Sequence, residues 1–392
     1  MSRDIFIVSN STDELGGVTA WMHQTARLFA GQGHKVHAIG IHASDLKMAL
    51  PGQPGQPGQP GQPGQPAHPV TALYPAHPPT PWTPHGVRDR FRLPTRRKEA
   101  ARVAAKKRAV ARLSEIFATA RPGGLVIVTQ VWAMEWVGEA DTTGLRVIGM
   151  SHESYGYSRA SHRYRWIKNH YKDLDHWLVL TEEDADQWAG DGMNNVGFLP
   201  NALSRLPVVP SPRTARTVAS IGRLSDQKGI DLLLDAWALV APARPDWRLR
   251  VYGAGEDEAA LKARCTGLGL DGSVEWMGRT DDVERALAEA SVFVQSSRGE
   301  GFPLALLEAM ASGVPCAAFD CAPGVREIVR DGEDGLLAPA GDIAALADRL
   351  LRLTGNPRLR DAMGARARSG VQRFSEPETL RRWEELFAFL ER

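Results

Sequence analysis

Short apolar runs alternate with amphipathic stretches along most of this chain. Ile5-Phe6-Ile7-Val8 is an unbroken apolar run, as a strand buried on both faces requires. A polar loop from Ser9 to Leu15 leads to Gly16-Gly17. Val18, Trp21, Met22, Ala26, Leu28 and Phe29 then recur at roughly helical spacing until Gly31 and Gly33 end the helix. Val36 to Ile39 is the next strand, so the chain opens with a strand–helix–strand unit. Apolar runs at Leu125–Thr129, Leu145–Met150 and Trp177–Leu180 extend the same sheet. Thr181 before Glu182, Glu183 and Asp184 predicts a helix N-cap with acids in the first turn.

The proline-bearing stretch from Leu206 to Pro212 predicts a hinge. Beyond it the alternation is cleaner. Strands are predicted at Val218–Ile221, Leu249–Tyr252, Val274–Met277, Val292–Gln295 and Val314–Phe319, with helices near 229–240, 256–268, 281–289 and 303–312. Three helical stretches close the chain, near 341–354, 357–369 and 376–390. The last is amphipathic and is expected to pack back on the first domain. The predicted architecture is α/β: two Rossmann-like parallel-sheet domains facing across a cleft, over 1–205 and 206–374, with a returning C-terminal helix over 375–392. Ligands of such sheets sit at the carboxyl ends of the strands, which places the expected site between the domains.

Two stretches break the pattern. Pro51-Gly52-Gln53 begins a triplet repeated five times and closed by Pro66. Five triplets are too few for a collagen-like trimer, so 45–87 is expected to be a disordered, polyproline-II-like loop, and deleting Pro51–Pro66 to leave folding and activity nearly unchanged. Residues 88–112 carry eleven Lys and Arg against two acids, a local net charge of +9, and become Ala-rich and helical from Lys98. This is either a solvated helix face or a contact for an anionic membrane surface or polyanionic acceptor.

Composition narrows the class. The 392 residues are 43% hydrophobic and 24% charged, which excludes a mainly disordered or fibrous chain. Lys plus Arg number 47 and Asp plus Glu 46, without the excess expected of a general nucleic-acid binder. Three cysteines argue against a disulfide framework and suit a reducing compartment. With no apolar run long enough to span a membrane and no signal-peptide pattern, a cytoplasmic protein is expected, with peripheral contact at the inner face of the plasma membrane through 88–112.

The chemistry is concentrated at predicted strand ends. Ser296 to Pro315 follows a strand and opens a helix. Glu300 lies in the loop and Glu308 about a turn and a half into the helix. The free amides of that helix start form an anion site, and carboxylates beside it accept bonds from sugar hydroxyls. Gly222-Arg223-Leu224-Ser225-Asp226-Gln227-Lys228-Gly229 places two cations at another helix start. The helix dipole disfavours them there unless a bound anion compensates. Gly253-Ala254-Gly255 is a third close turn at a strand end. Ser151-His152-Glu153 follows a first-domain strand. His162, His170 and His176 read as packing or surface residues, and Asp281-Asp282 as a helix start rather than a metal site.

Glu300-x7-Glu308, the Gly222–Gly229 turn and the Gly16-Gly17 loop together resemble the retaining glycosyltransferases of family 4, which have the GT-B fold. The resemblance covers nearly all of the chain except about 45–115. It implies that Glu308 binds the ribose of a donor nucleotide and that Glu300 contacts the transferred sugar. Arg223 and Lys228 would hold the diphosphate with the amides of Leu304 and Ala305, beside Gly301 and Phe302. Gly16 and Gly17 would approach the phosphates from the first domain. Gly253 would shape the site, backbone near Gly278 and Arg279 would meet the base, and His152 would sit at the reacting centre. Pro303 stands where many relatives have Gly, so no amide contact carries over there.

No cofactor and no metal are implied, the nucleotide-sugar being a substrate. UDP-glucose or UDP-N-acetylglucosamine is the expected donor, with GDP-mannose as the alternative. Ser151–Tyr155, the Arg/Tyr-rich 163–172 and Asp191–Asn195 resemble bacterial transferases acting on teichoic acids and other cell-envelope polymers. The acceptor is therefore expected to be a glycan, a polyol-phosphate or a lipid-linked molecule, with no nucleic-acid partner. An epimerase or phosphorylase, or a binding protein without catalysis, are the competing classes; the paired glutamates disfavour the first, and the presence of Arg223, Lys228 and Glu300 the second.

Overall fold

A computed structural model describes residues 2–14, 16–44, 68–79, 93–203 and 205–391. The first part runs β1 (Asp4–Ser11), α1 (Gly17–Gly31), β2 (Lys35–His42), β3 (Val70–Tyr74), α2 (Leu93–Phe117), β4 (Gly124–Val128), α3 (Met134–Val137), β5 (Leu145–Met150), α4 (Tyr155–Arg159), α5 (Arg163–His170), β6 (His176–Val179), α6 (Glu182–Gly190) and β7 (Val196–Phe198). Its seven strands form one parallel sheet, ordered β3-β2-β1-β4-β5-β6-β7. β4 is buried at every position, as a strand covered on both faces must be.

The second part runs β8 (Thr217–Ile221), α7 (Ile230–Val240), β9 (Arg248–Tyr252), α8 (Glu258–Gly267), β10 (Val274–Gly278), α9 (Val283–Ala288), β11 (Val292–Gln295), α10 (Leu304–Ala311), β12 (Cys316–Asp320), α11 (Pro323–Ile328), β13 (Gly335–Pro339), α12 (Ile343–Gly355), α13 (Pro357–Gly370) and α14 (Glu376–Leu390). Six parallel strands are ordered β10-β9-β8-β11-β12-β13. In each sheet the order reverses beside the first strand, between β1 and β4 and between β8 and β11. A crevice opens at such a reversal.

Two expectations need correction. The stretch 45–87 is not a continuous loop, because Val70–Tyr74 is β3, paired in register with β2. Its period-two alternation is weak, and it lies at the sheet edge, where packing constrains composition least. The Pro-Gly-Gln repeat lies outside the described residues. The basic helix begins at Leu93, before Lys98, and not all of its cations are free. Arg102 pairs with Glu99 at 2.6 Å, and Lys106 with Glu139 at 2.8 Å. β7 and β13 are further strands that the sequence pattern missed.

The chain crosses between the domains twice, side by side. Leu203 N donates to Phe374 O at 2.7 Å, and Leu203 bridges Ser375. After the second crossing, α14 joins the first domain's core. Trp383 and Phe387 pack with Trp21, Met22 and Phe29, and the Phe29 and Trp383 rings meet edge to face at 5.3 Å. The amphipathic stripe of α14 thus binds the end of the chain to its beginning.

Candidate active site

Loops at the carboxyl ends of both sheets enclose a cleft of about 1460 Å³. The β1–α1 loop brings Gly16 and Gly17, the β5–α4 loop His152 and the β8–α7 loop Arg223 and Lys228. Gly253 follows β9, Arg279 follows β10, and Glu300, Gly301, Phe302, Leu304 and Ala305 follow β11. All of these line the cleft.

Two helix starts face each other across it. Gly16 caps α1 without a side-chain bond, leaving the first amides of α1 unpaired within the helix. Opposite, Pro303 caps α10, and its carbonyl accepts from Leu306 and Leu307. Leu304 and Ala305 therefore hold the free amides of that turn. A Cβ built on Gly17 would lie 3.8 Å from Leu304 Cδ1, within ordinary contact distance, so the two starts approach closely. Both dipoles put positive potential into the space between.

Arg223 is exposed and has no ion-pair partner among the described residues. Lys228 is engaged: its Nζ donates to Glu300 Oε1 at 2.7 Å, and Ser297 Oγ donates to the same oxygen at 2.5 Å. The expected diphosphate cation and the expected sugar carboxylate are thus paired with each other. Glu300 is 7% exposed, so the pair holds its carboxylate in one geometry. Gly301 has its own cause. A Cβ there would collide with the His152 carbonyl oxygen, so glycine lets the β11–α10 loop run directly against the β5–α4 loop of the other domain.

His152 stacks edge-on against Trp21, with ring centroids 5.0 Å apart. Its Nε2 is buried without a partner, and burial pulls its pKa down to about 4, keeping the ring neutral near pH 7. Beside it, Glu153 pairs with Arg163, and burial raises its carboxyl.

Phe302 contributes backbone, because its ring is buried against Phe374 at 5.2 Å. Glu308 lies one turn down α10 from the cleft-lining Leu304 and Ala305 and is half-buried. Its carboxylate has no hydrogen-bond or ion-pair partner among the described residues, and burial pushes it up to about 7. His162, expected to be a packing or surface residue, is exposed and lines the cleft.

Other cleft residues carry no motif. Asn201 Nδ2 donates to Phe302 O at 3.2 Å, joining the first domain to the loop before α10. Gln130 Oε1 accepts from Ser9 Oγ at 3.0 Å and from Asn10 N at 3.1 Å, tying the ends of β1 and β4. Asn10 Oδ1, Glu153 Oε2, Asn201 Oδ1 and Gln295 Nε2 are buried without partners. Each such atom costs about 1–3 kcal/mol unless a ligand or water satisfies it. Apart from Glu153, already singled out beside His152, the only signal of these residues in the sequence was a place at or near a strand end.

Facing parallel sheets, a cleft at both reversal points and two helix starts aimed into it define the GT-B class. The HepE protein of Anabaena, solved in complex with UDP and glucose, shares this fold with a TM-score of 0.75 at 16% identity, over 98% of this chain and 99% of that one. Residues 207–370 match the glycosyl transferases group 1 family. An exopolysaccharide phosphotransferase of Streptomyces coelicolor is 38% identical over 222 residues, 55% of this chain and 24% of the relative. A phosphatidyl-myo-inositol mannosyltransferase of Mycobacterium leprae is 37% identical over 207 residues, 50% of this chain and 54% of the relative. The matches thus span about a quarter and about half of these relatives.

Proposed function

We propose that this chain is a retaining glycosyltransferase. It moves a hexose from a nucleotide-sugar, UDP-glucose or UDP-N-acetylglucosamine, to a hydroxyl of a cell-envelope glycan, polymer or lipid-linked acceptor. The observation that carries this reading is the convergence of the α1 and α10 starts with Arg223, Lys228 and Glu300 in one cleft.

A sugar leaving a nucleoside diphosphate builds negative charge on the β-phosphate and leaves an oxocarbenium-like ring. Amides of Leu304 and Ala305, the α1 start at Gly17 and the Arg223 guanidinium preorganise positive potential for that phosphate. Lys228 reaches the diphosphate while fixing Glu300 against the sugar. The acceptor hydroxyl attacks from the face the phosphate leaves, and the departing phosphate takes its proton. No side-chain nucleophile is required. Neutral His152 offers a hydrogen bond to the sugar without adding charge. Arg279 marks the wall for the base, and Glu308 serves the ribose.

HepE supports a uridine nucleotide. The mannosyltransferase relative favours a second reading, a GDP-mannose donor. Thermal shift with UDP, GDP, ADP and dTDP separates them. One nucleotide alone is expected to stabilise the protein, by about 2.7 kcal/mol at 100 times its dissociation constant, and the shift to be lost in Glu308→Ala. No response to any nucleotide would overturn the transferase reading and favour a binding protein without catalysis. Arg223→Ala is expected to lower turnover about 10²–10³-fold; a wild-type rate would remove Arg223 from the mechanism.

The same reading includes peripheral contact with an anionic membrane. Arg97, Lys98, Lys107, Arg108 and Arg112 are exposed on α2 with no ion-pair partner among the described residues. They, rather than Arg102 and Lys106, are the cations available for it.

A further inference from the structure

The first-domain wall of the cleft has a composition that the donor chemistry does not use. Its only Lys or Arg among the described residues is Arg163, already paired with Glu153, and Glu14 adds an acid. Aromatic rings dominate instead. His42 and His77 lie 4.8 Å apart, His77 stacks on Trp132 at 5.3 Å and 19°, and His162 meets Trp166 at 5.4 Å. α5, which carries Trp166, packs against the turn that carries Trp132. All five rings line the cleft and none is fully buried.

Two imidazoles of this wall, His42 and His77, are placed to accept. His42 Nδ1 lies 2.8 Å from Ala43 O, and His77 Nδ1 lies 2.8 Å from Pro78 O. A carbonyl only accepts, so each Nδ1 carries the proton. In the neutral form of the ring the Nε2 is then an acceptor, and in both residues it has no partner among the described residues.

Resting on the glycosyltransferase reading, we propose that this wall is the acceptor subsite and that it takes a neutral hexopyranose, not a polyol-phosphate. A pyranose has one face of C–H bonds, which packs on the negative face of an aromatic ring, and a rim of hydroxyls, which donate to acceptors such as the His42 and His77 Nε2 atoms. A phosphate-bearing unit needs unpaired cations or free amides. Among the described residues of this wall the one Lys or Arg is neutralised by Glu153, and the acid Glu14 repels a phosphate. Unpaired cations lie elsewhere, among them Arg223 and Arg279 across the cleft and those on the outer face of α2. Lys106 caps the Trp136 ring at 5.6 Å, and Trp136 meets Trp132 at 4.7 Å. The aromatic wall and the basic helix are thus neighbours. A neutral sugar seated in the cleft can be carried on an anionic lipid or polymer bound outside it.

The test uses saturation-transfer NMR on the full chain, with and without UDP. The probes are maltotriose, cellotriose, mannotriose and a glycerol-phosphate oligomer. At least one trisaccharide is expected to bind, with transfer concentrated on its ring C–H protons. His77→Ala and Trp166→Ala should each weaken it fivefold or more and leave nucleotide affinity unchanged. His77 is exposed, so its variant does not threaten the fold. Binding of the glycerol-phosphate oligomer alone, trisaccharide binding indifferent to both variants, or no saccharide binding would overturn the proposal. Loss of nucleotide binding in the wild type would instead count against the donor reading, and the saccharide arm without UDP still reports on this wall.

Discussion

At the scale of single residues, Glu308 couples the site to pH. Its carboxyl is raised by burial to about 7, well above the ordinary 4.5. The sign follows from linkage. A raised pKa means the folded protein favours the protonated form, so the contribution of Glu308 to stability is complete below about pH 4.5 and is lost as pH rises towards 7. Ribose hydroxyls donate best to an ionised carboxylate and therefore work in the opposite direction. Nucleotide affinity is expected to rise about tenfold between pH 6 and pH 8, as the ionised fraction grows from about a tenth to about nine-tenths. Glu308→Gln should flatten that profile and keep more stability at pH 8. Calorimetric titration of the nucleotide at both pH values measures the first effect; equal slopes in wild type and variant would separate Glu308 from the ribose. His152 has the reverse sign. Its lowered pKa means the folded protein holds the ring neutral, and its contribution is lost as pH falls from 6.5 towards 4.

At the scale of elements, α14 makes the strongest claim on stability. Trp383 is 1% exposed and touches Trp21, Phe29 and Phe387. Replacing a buried Trp by Ala removes its transfer energy and leaves a cavity, typically costing about 3–5 kcal/mol. Trp383→Ala is expected to lose that much in denaturant unfolding. A loss below about 1 kcal/mol would mean that α14 is merely laid on the surface. This helix was legible in the sequence because Trp383, Phe387 and Leu390 sit on one stripe, and a stripe must be covered. The strands with continuous apolar runs were legible for the same reason. β3, at the sheet edge, and β13, Gly335–Pro339, were not, because their short segments carry weaker periodicity. In the site, the glycines and cations after β8 and β11 were legible because close turns and charges at helix starts are costly without a ligand. Trp132, His77 and Asn201 gave no such sign. Aromatic and amide residues occur in any loop, and only the folded sheet collects them on one wall.

At the scale of the whole molecule, charge is separated by surface. The chain has a net charge of +1, yet α2 concentrates cations on one face. The helix sorts them by direction. Ala109 and Leu113 are buried, and the cations nearest that side, Arg102 and Lys106, are consumed by Glu99 and Glu139. Arg97, Lys98, Lys107, Arg108 and Arg112 remain exposed. No helix among the described residues is long and apolar enough to cross a membrane, and the exposed cations of α2 offer an electrostatic contact. Each cation near an anionic leaflet contributes about 1 kcal/mol, which falls with salt. Lys107→Ala, Arg108→Ala and Arg112→Ala together should therefore weaken binding to phosphatidylglycerol vesicles about 10²-fold. Lys106→Ala should do much less, because its charge is already paired. Raising sodium chloride from 0.1 to 0.5 M should mimic the triple variant, and phosphatidylcholine vesicles should not bind. Vesicle sedimentation measures all four. Equal binding of wild type and triple variant, or binding to neutral vesicles, would leave α2 as a solvated face and place the contact, if any, on another surface.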